Sequence, residues 1–88
     1  MYNLYTYTDT YQGEPNFSWA KRCLAKTLEE ACEYFEIDKK DFTVEWDAGE
    51  ESRLNEKNAC RCILVEWTTY DDPEMAQELY HCEIADEI

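Results

Sequence analysis

Cys60, Cys62, His81 and Cys82 are the residues of this chain whose types match a zinc site, because thiolate sulfur and imidazole nitrogen suit that ion. Their spacing suits it less. A C-x-C on a strand sends both thiols to one face, whereas the adjacent His81 and Cys82 diverge on a helix or a strand alike. His81 is the only histidine, so a nucleophilic thiol–imidazole pair needs it beside Cys82, Cys60 or Cys23, and no motif places it there. The plainer reading is small apolar cysteines in or near the core. The chain is therefore expected to be a non-enzyme with no catalytic residue, no metal and no cofactor, a small zinc-binding protein being one alternative.

Paired carboxylates are the next candidates, because Asp71 with Asp72, or Glu50 with Glu51, could hold a hard cation or exchange protons. Neither pair has the spacing of a calcium loop. With 21 Asp and Glu against 8 Lys and Arg, a net charge of −13, adjacent acids arise by abundance alone. The collective array says more than any pair. Residues 1–44 carry 8 acids and 5 bases, and residues 45–88 carry 13 acids and 3 bases. Crowding like charge opposes folding, so a surface of this kind calls for a use.

Rows of carboxylates would provide one. On an extended strand Glu45 and Asp47 would lie roughly 6.8 Å apart on one face, close to the separation of successive phosphates in a nucleic-acid strand. Along a helix Glu74 and Glu78 would be roughly 6 Å apart, as would Glu83 and Glu87 if that helix continues. Such rows could occupy a groove of Lys and Arg built for phosphates. The contact candidates are Glu45, Asp47, Glu50, Glu51, Glu66, Asp71, Asp72, Glu74 and Glu78. Nucleic acid and anionic lipid would be repelled, so the expected partner is a basic nucleic-acid-binding protein. Plain solubility is the rival use of the charge. A base-stacking platform of Tyr5, Tyr7, Phe17 and Trp19 is opposed by the lack of a basic groove, and these rings fit core packing better.

The elements that must carry these residues read as a single α+β domain over 1–88. Its aromatic content, 15%, supplies the apolar area that a disordered acidic tail lacks. Residues 2–11 alternate as a first strand, with Asn3, Tyr5, Tyr7, Asp9 and Tyr11 on one face. Turn formers occupy Gln12 to Asn16, and Phe17–Ala25 resumes the alternation, which predicts a hairpin. Thr27 and Glu30 form a capping box, and Leu28, Ala31, Cys32 and Phe35 recur at helical spacing until Ile37 and Asp38. Phe42, Val44 and Trp46 predict the third strand, Ala48–Asn58 a long polar connection or exposed hairpin tip, and 59–69 the fourth strand. Asp72 and Pro73 open a second helix whose inward stripe is Met75, Ala76, Leu79 and Cys82. A shorter helix followed by a strand from Tyr80 to Ile84 competes with it. The order β-β-α-β-β-α implies an antiparallel sheet of about four strands with one or two helices on one face.

The segment Asp9, Thr10, Tyr11, Gln12, Gly13, Glu14, Pro15, Asn16, Phe17, Ser18, Trp19, read as D-T-Y-x-G-E-x-N-F-x-W, resembles stretches in small proteins of phage and other mobile-element genomes. A small acidic domain of that origin is similar to the inhibitors phages direct against host defences, anti-CRISPR and anti-restriction proteins among them. The resemblance implies a phage protein, an inhibitor working as a DNA mimic on a host nucleoprotein complex such as a CRISPR–Cas subunit, in the host cytoplasm. It carries no functional residue onto this chain. A protein-binding adaptor with an exposed aromatic patch is the other reading. No apolar run approaches the roughly 18 residues a membrane helix needs, and the first ten residues have no features of an export signal, so a cytoplasmic protein is expected.

Overall fold

The computed structural model describes residues 1–58 and 60–85. Strand β1, Tyr2–Tyr11, turns through Gln12 and Gly13, whose φ angles of 55° and 81° are both left-handed, into the short β2, Glu14–Pro15. Two left-handed residues make the hairpin turn whose twist matches paired strands, and Gly13 adopts it without a Cβ penalty. The expected long second strand is not there. Pro15 cannot donate to a ladder, and the Asn16 side chain accepts from Ser18 N at 3.2 Å, which winds Phe17–Trp19 into a 3₁₀ turn. Only Lys21–Ala25 is strand, β3.

Helix α1, Leu28–Phe35, starts on its expected cap, with Thr27 Oγ1 accepting from Glu30 N at 3.2 Å. It ends where Glu36 turns left-handed at φ 59°. After a 3₁₀ turn at Lys39–Asp41, strands β4 (Phe42–Asp47), β5 (Glu51–Glu56) and β6 (Arg61–Tyr70) form an antiparallel meander. Strand β5 corrects the reading of 48–58 as a connection. Its inward residues include the buried Ser52 and Arg53, so it lacks the apolar alternation that marks a strand. Ala59, placed in strand four by the sequence, lies outside the described residues.

Helix α2, Pro73–Tyr80, opens with Asp72 Oδ1 accepting from Met75 N at 3.3 Å and closes at left-handed His81, φ 52°. The shorter-helix alternative is right in its order of elements but not in its bounds, since Tyr80 stays in the helix and the strand, β7, is only Glu83–Ile84. Strand β7 lies parallel beside β3, so the sheet is mixed, with seven strands in the order β4-β5-β6-β1-β3-β7 and β2 on the tip of β1.

The helices lie on opposite faces, a second correction. Cys23 and Ala25 pack with Ala31, Cys32 and Phe35 of α1, while Leu24 between them packs with Ala76 of α2. Topology requires this. The β3–α1–β4 crossover runs across the sheet in one direction and β6–α2–β7 in the other, so two connections of the same hand must use different faces. The α1 face is the larger core, adding Tyr5, Phe42, Leu54, Ile63 and Val65. The α2 face is thinner. Of the proposed stripe on α2 only Ala76 is buried within the helix, and Met75 and Leu79 are 67% and 66% exposed.

Candidate functional site

Register maps the α2 face into rows. Leu24, Leu4, Glu66 and Glu51 lie side by side across β3, β1, β6 and β5. The adjoining row is Arg22, Thr6, Leu64 and Arg53. Helix α2 covers the Leu24–Leu4 end, and the β1–β2 tip arches over the far corner, where Thr8 Oγ1 donates to the Asn16 carbonyl and Arg53 Nη2 to the Gly13 carbonyl. Between these two covers the sheet stays open. A cleft of about 410 Å³ has Leu4, Thr6 and Leu64 as its floor, Phe17 on one wall, and Leu79 with Tyr80 on the other. Glu51 and Glu66 close one side and Arg22 the other. Glu51 and Glu66 are shared with a second concavity of about 400 Å³ that adds Glu50, Ala48 and Thr68. One groove thus runs from an apolar slot to an acidic mouth.

The proposed contact acids fall into distinct environments. Glu50, Glu51 and Glu66 are brought together, Glu51 and Glu66 as direct cross-strand partners. Like charges in that relation repel. The Glu45–Asp47 row does not form, because a bulge between Val44 and Trp46 displaces Glu45, which lies 3.0 Å from Arg53 Nε. Asp47, opposite Ser52, takes the α1 face of the sheet instead. Asp71 and Asp72 precede α2, Asp72 as its cap, and Glu74 and Glu78 stay exposed one turn apart on it. Glu83 belongs to β7, so no Glu83–Glu87 helical row starts there, and Glu87 lies outside the described residues.

Asp47, Glu50, Glu51, Glu66, Asp71, Asp72 and Glu74 share the end of the sheet where the β4–β5 turn, the end of β6 and the start of α2 meet. Segments 41–52 and 62–85 contain no Lys or Arg. Lys40, Lys57 and Arg61 sit at the opposite end, where Lys57 N donates to the Asp41 carbonyl at 3.0 Å and Arg61 pairs with Glu56 at 2.6 Å, while Lys39 Nζ pairs at 2.6 Å with Glu29 in the first turn of α1. Lys26, 5.6 Å from the Tyr2 ring centre, is a cation at the acidic end.

The zinc candidates are not assembled. Cys60 is exposed before β6, its thiol donating to the Asn58 carbonyl at 3.3 Å, while Cys62 and Cys82 are buried and His81 is an exposed helix end. Among the described residues no three His, Cys, Asp or Glu are grouped to hold a metal. Burial raises the thiols of Cys23, Cys32, Cys62 and Cys82, that of Cys23 to about 12, so they are held as inert, protonated groups. The aromatic platform also separates, since Tyr5 and Tyr7 face the α1 core whereas Trp19 is 76% exposed.

Beside the groove, Tyr70 donates to Glu66 Oε1 at 2.6 Å, and its oxygen lies 2.8 Å from that of Tyr80. Burial first, then the Glu66 carboxylate, pushes Tyr70 ionisation far up. Burial, then its bond to Glu83, raises Tyr34 to about 12. A folded pKa above the unfolded value of 10 favours the protonated tyrosine. Stability from these hydroxyls is therefore complete below about pH 10 and is lost as pH climbs through the folded values. Urea midpoints should stay level to about pH 9 and fall between about 10 and 12, less steeply in Tyr34→Phe. Tyrosinate absorbance rising at its ordinary pH, with no loss of stability, would contradict this.

Sequence reasoning does not identify Arg22, Leu64, Leu79 or Tyr80 as parts of a site. It places Leu79 inward by helical period, and weighs Phe17 only in an aromatic platform set aside for core packing. The chain matches no family model, no curated protein and no solved structure. No helix among the described residues is long and apolar enough to cross a membrane.

Proposed function

We propose that this chain is a non-enzymatic binding protein that covers a cationic groove on a nucleic-acid-binding partner, presenting carboxylates where phosphates would lie. One observation carries the reading: Asp47, Glu50, Glu51, Glu66, Asp71, Asp72 and Glu74 share one end of the molecule, within two segments free of Lys and Arg. Charge spread for solubility alone has no need of that separation. A concentrated negative end would steer approach to a basic groove and hold it through charge-assisted contacts. The biological setting proposed with it is inhibition of a host defence complex of the CRISPR–Cas kind by a phage-encoded protein in the host cytoplasm.

The test is displacement of a labelled DNA duplex from a programmed CRISPR effector complex. Micromolar protein should release the duplex at low salt and progressively less as salt rises, because exposed charges are screened over about 8–10 Å at physiological strength. No release at low salt, or release indifferent to salt, would remove this reading. An adaptor anchored by aromatic side chains is the second reading, favoured by Trp19 at 76% and Phe17 at 55% exposure on one 3₁₀ turn. Charge reversal of Asp71 and Asp72 should weaken binding in the first case, and Trp19→Ala in the second.

A further inference from the structure

We infer that the groove between α2 and the Phe17 turn is a docking slot for a short segment of a partner protein. That segment carries an aromatic or aliphatic side chain flanked by Arg or Lys. This deepens the reading above and rests on it, adding what kind of segment the acidic end receives. Two features of the groove specify the occupant together. Its apolar part is open: Leu79 and Phe17, 66% and 55% exposed, face each other across a floor that includes Leu64. A single large apolar side chain would bury these surfaces at once, and such anchors supply most of the energy of a contact.

Its mouth is acidic and uncompensated. Glu51 and Glu66 stand directly opposite on β5 and β6, Glu50 beside them, and none is ion-paired among the described residues. Glu66 is held in place by Tyr70, itself in contact with Tyr80 of the wall. A guanidinium or ammonium entering there would relieve a repulsion the fold otherwise sustains, and would meet an acceptor already oriented. Arg22 across the cleft disfavours a second cation at that side, so the slot has a direction. The basic residue belongs at the Glu51–Glu66 end.

The probe is a blocked peptide, Gly-Arg-Phe-Gly-Gly, titrated into the ¹⁵N-labelled protein. Its controls are Gly-Arg-Gly-Gly-Gly, without the anchor, and Gly-Glu-Phe-Gly-Gly, with reversed charge. Shifts should map to Thr6, Leu64, Glu66, Glu51 and Leu79, with affinity at least about ten-fold above either control. Leu79→Ser and the double change Glu51→Gln with Glu66→Gln should each weaken it by about ten-fold. Leu79 and Glu51 are exposed, and glutamine keeps an oxygen for Tyr70, so folding should survive. Glu33→Gln, on the exposed side of α1, should change nothing. Equal affinity for the peptide lacking phenylalanine, or shifts confined to α2 residues Glu74 and Glu78, would overturn the slot. Concentration-dependent shifts at the groove without peptide would overturn it by giving the site to a second copy of this chain. If Leu79→Ser abolishes peptide binding but leaves duplex displacement unchanged, the slot inference fails and the groove-covering function stands. If the unaltered protein displaces no duplex, that function fails whatever the peptide does.

Discussion

Arg53→Ala should lower stability by about 2–3 kcal/mol and the melting temperature by roughly 10–20 °C, the largest effect expected of any single side chain outside the apolar core. The side chain of Arg53 is 6% exposed, yet it carries a full charge inside the α2 face. Three groups make that tolerable. Glu45 Oε2 lies 3.0 Å from Nε, Glu14 Oε2 lies 3.9 Å from Nη1, and Nη2 donates to the Gly13 carbonyl. Nε is close to Glu45 but off the line of a hydrogen bond, so Glu45 acts there as a countercharge more than as an acceptor. The Glu14 side chain is 81% exposed and contributes little. Glu45, at 43%, can rehydrate when its partner goes, which keeps the cost below that of breaking a fully buried pair. What alanine cannot replace is the strut itself. Arg53 ties the β4 bulge to the β1–β2 tip, so amide exchange at Gly13 and Glu14 should speed up along with the loss in stability. Arg53→Met, which keeps the stem, should recover part of the stability but not the slow exchange at the tip. A loss under about 0.5 kcal/mol in the alanine variant, with tip exchange unchanged, would mean the arginine is incidental.

The same residue explains what the sequence could not show. Both helix starts were legible because capping is local: Thr27 with Glu30, and Asp72 with Pro73, carry their partners within a few residues. Strand β4 was legible from the alternating residue types Phe42, Val44 and Trp46, although of these only Phe42 is buried and Val44 is 67% exposed. Strand β5 was not, since Ser52 and Arg53 are buried by groups distant in sequence, among them Glu45 and the Gly13 carbonyl. The two-sided sheet was hidden for a related reason. Leu4, Tyr5 and Thr6 are buried in succession on β1, which departs from a one-face pattern, but only the topology tells which helix covers which side. For the site, the acids were found by type. Their grouping depended on pairing Glu51 with Glu66, fifteen positions apart, through a strand read as a loop.

The acidic end can be divided by what each carboxylate does for the fold. Asp72 caps α2 and Glu74 lies in its first turn, where the helix dipole favours negative charge, so both serve stability as well as any contact. Asp47, Glu50 and Glu51 have no such role. They stand on or beside the β4–β5 turn, with Glu51 against Glu66 and no base in the segment. Replacing Asp47 by Asn and Glu50 and Glu51 by Gln should therefore stabilise the protein, by about 0.5–1.5 kcal/mol at low salt. The same triple change should weaken binding to a cationic partner by about 100-fold at low salt, the difference shrinking as salt rises. Opposite signs in the two measurements would identify charge retained against the interest of the fold, the mark of a functional surface. Asp71→Asn with Glu74→Gln should instead cost a few tenths of a kcal/mol by removing charge from the helix start, while also weakening the contact. A triple variant that was more stable and bound the partner as tightly as the unaltered chain would assign these carboxylates to solubility.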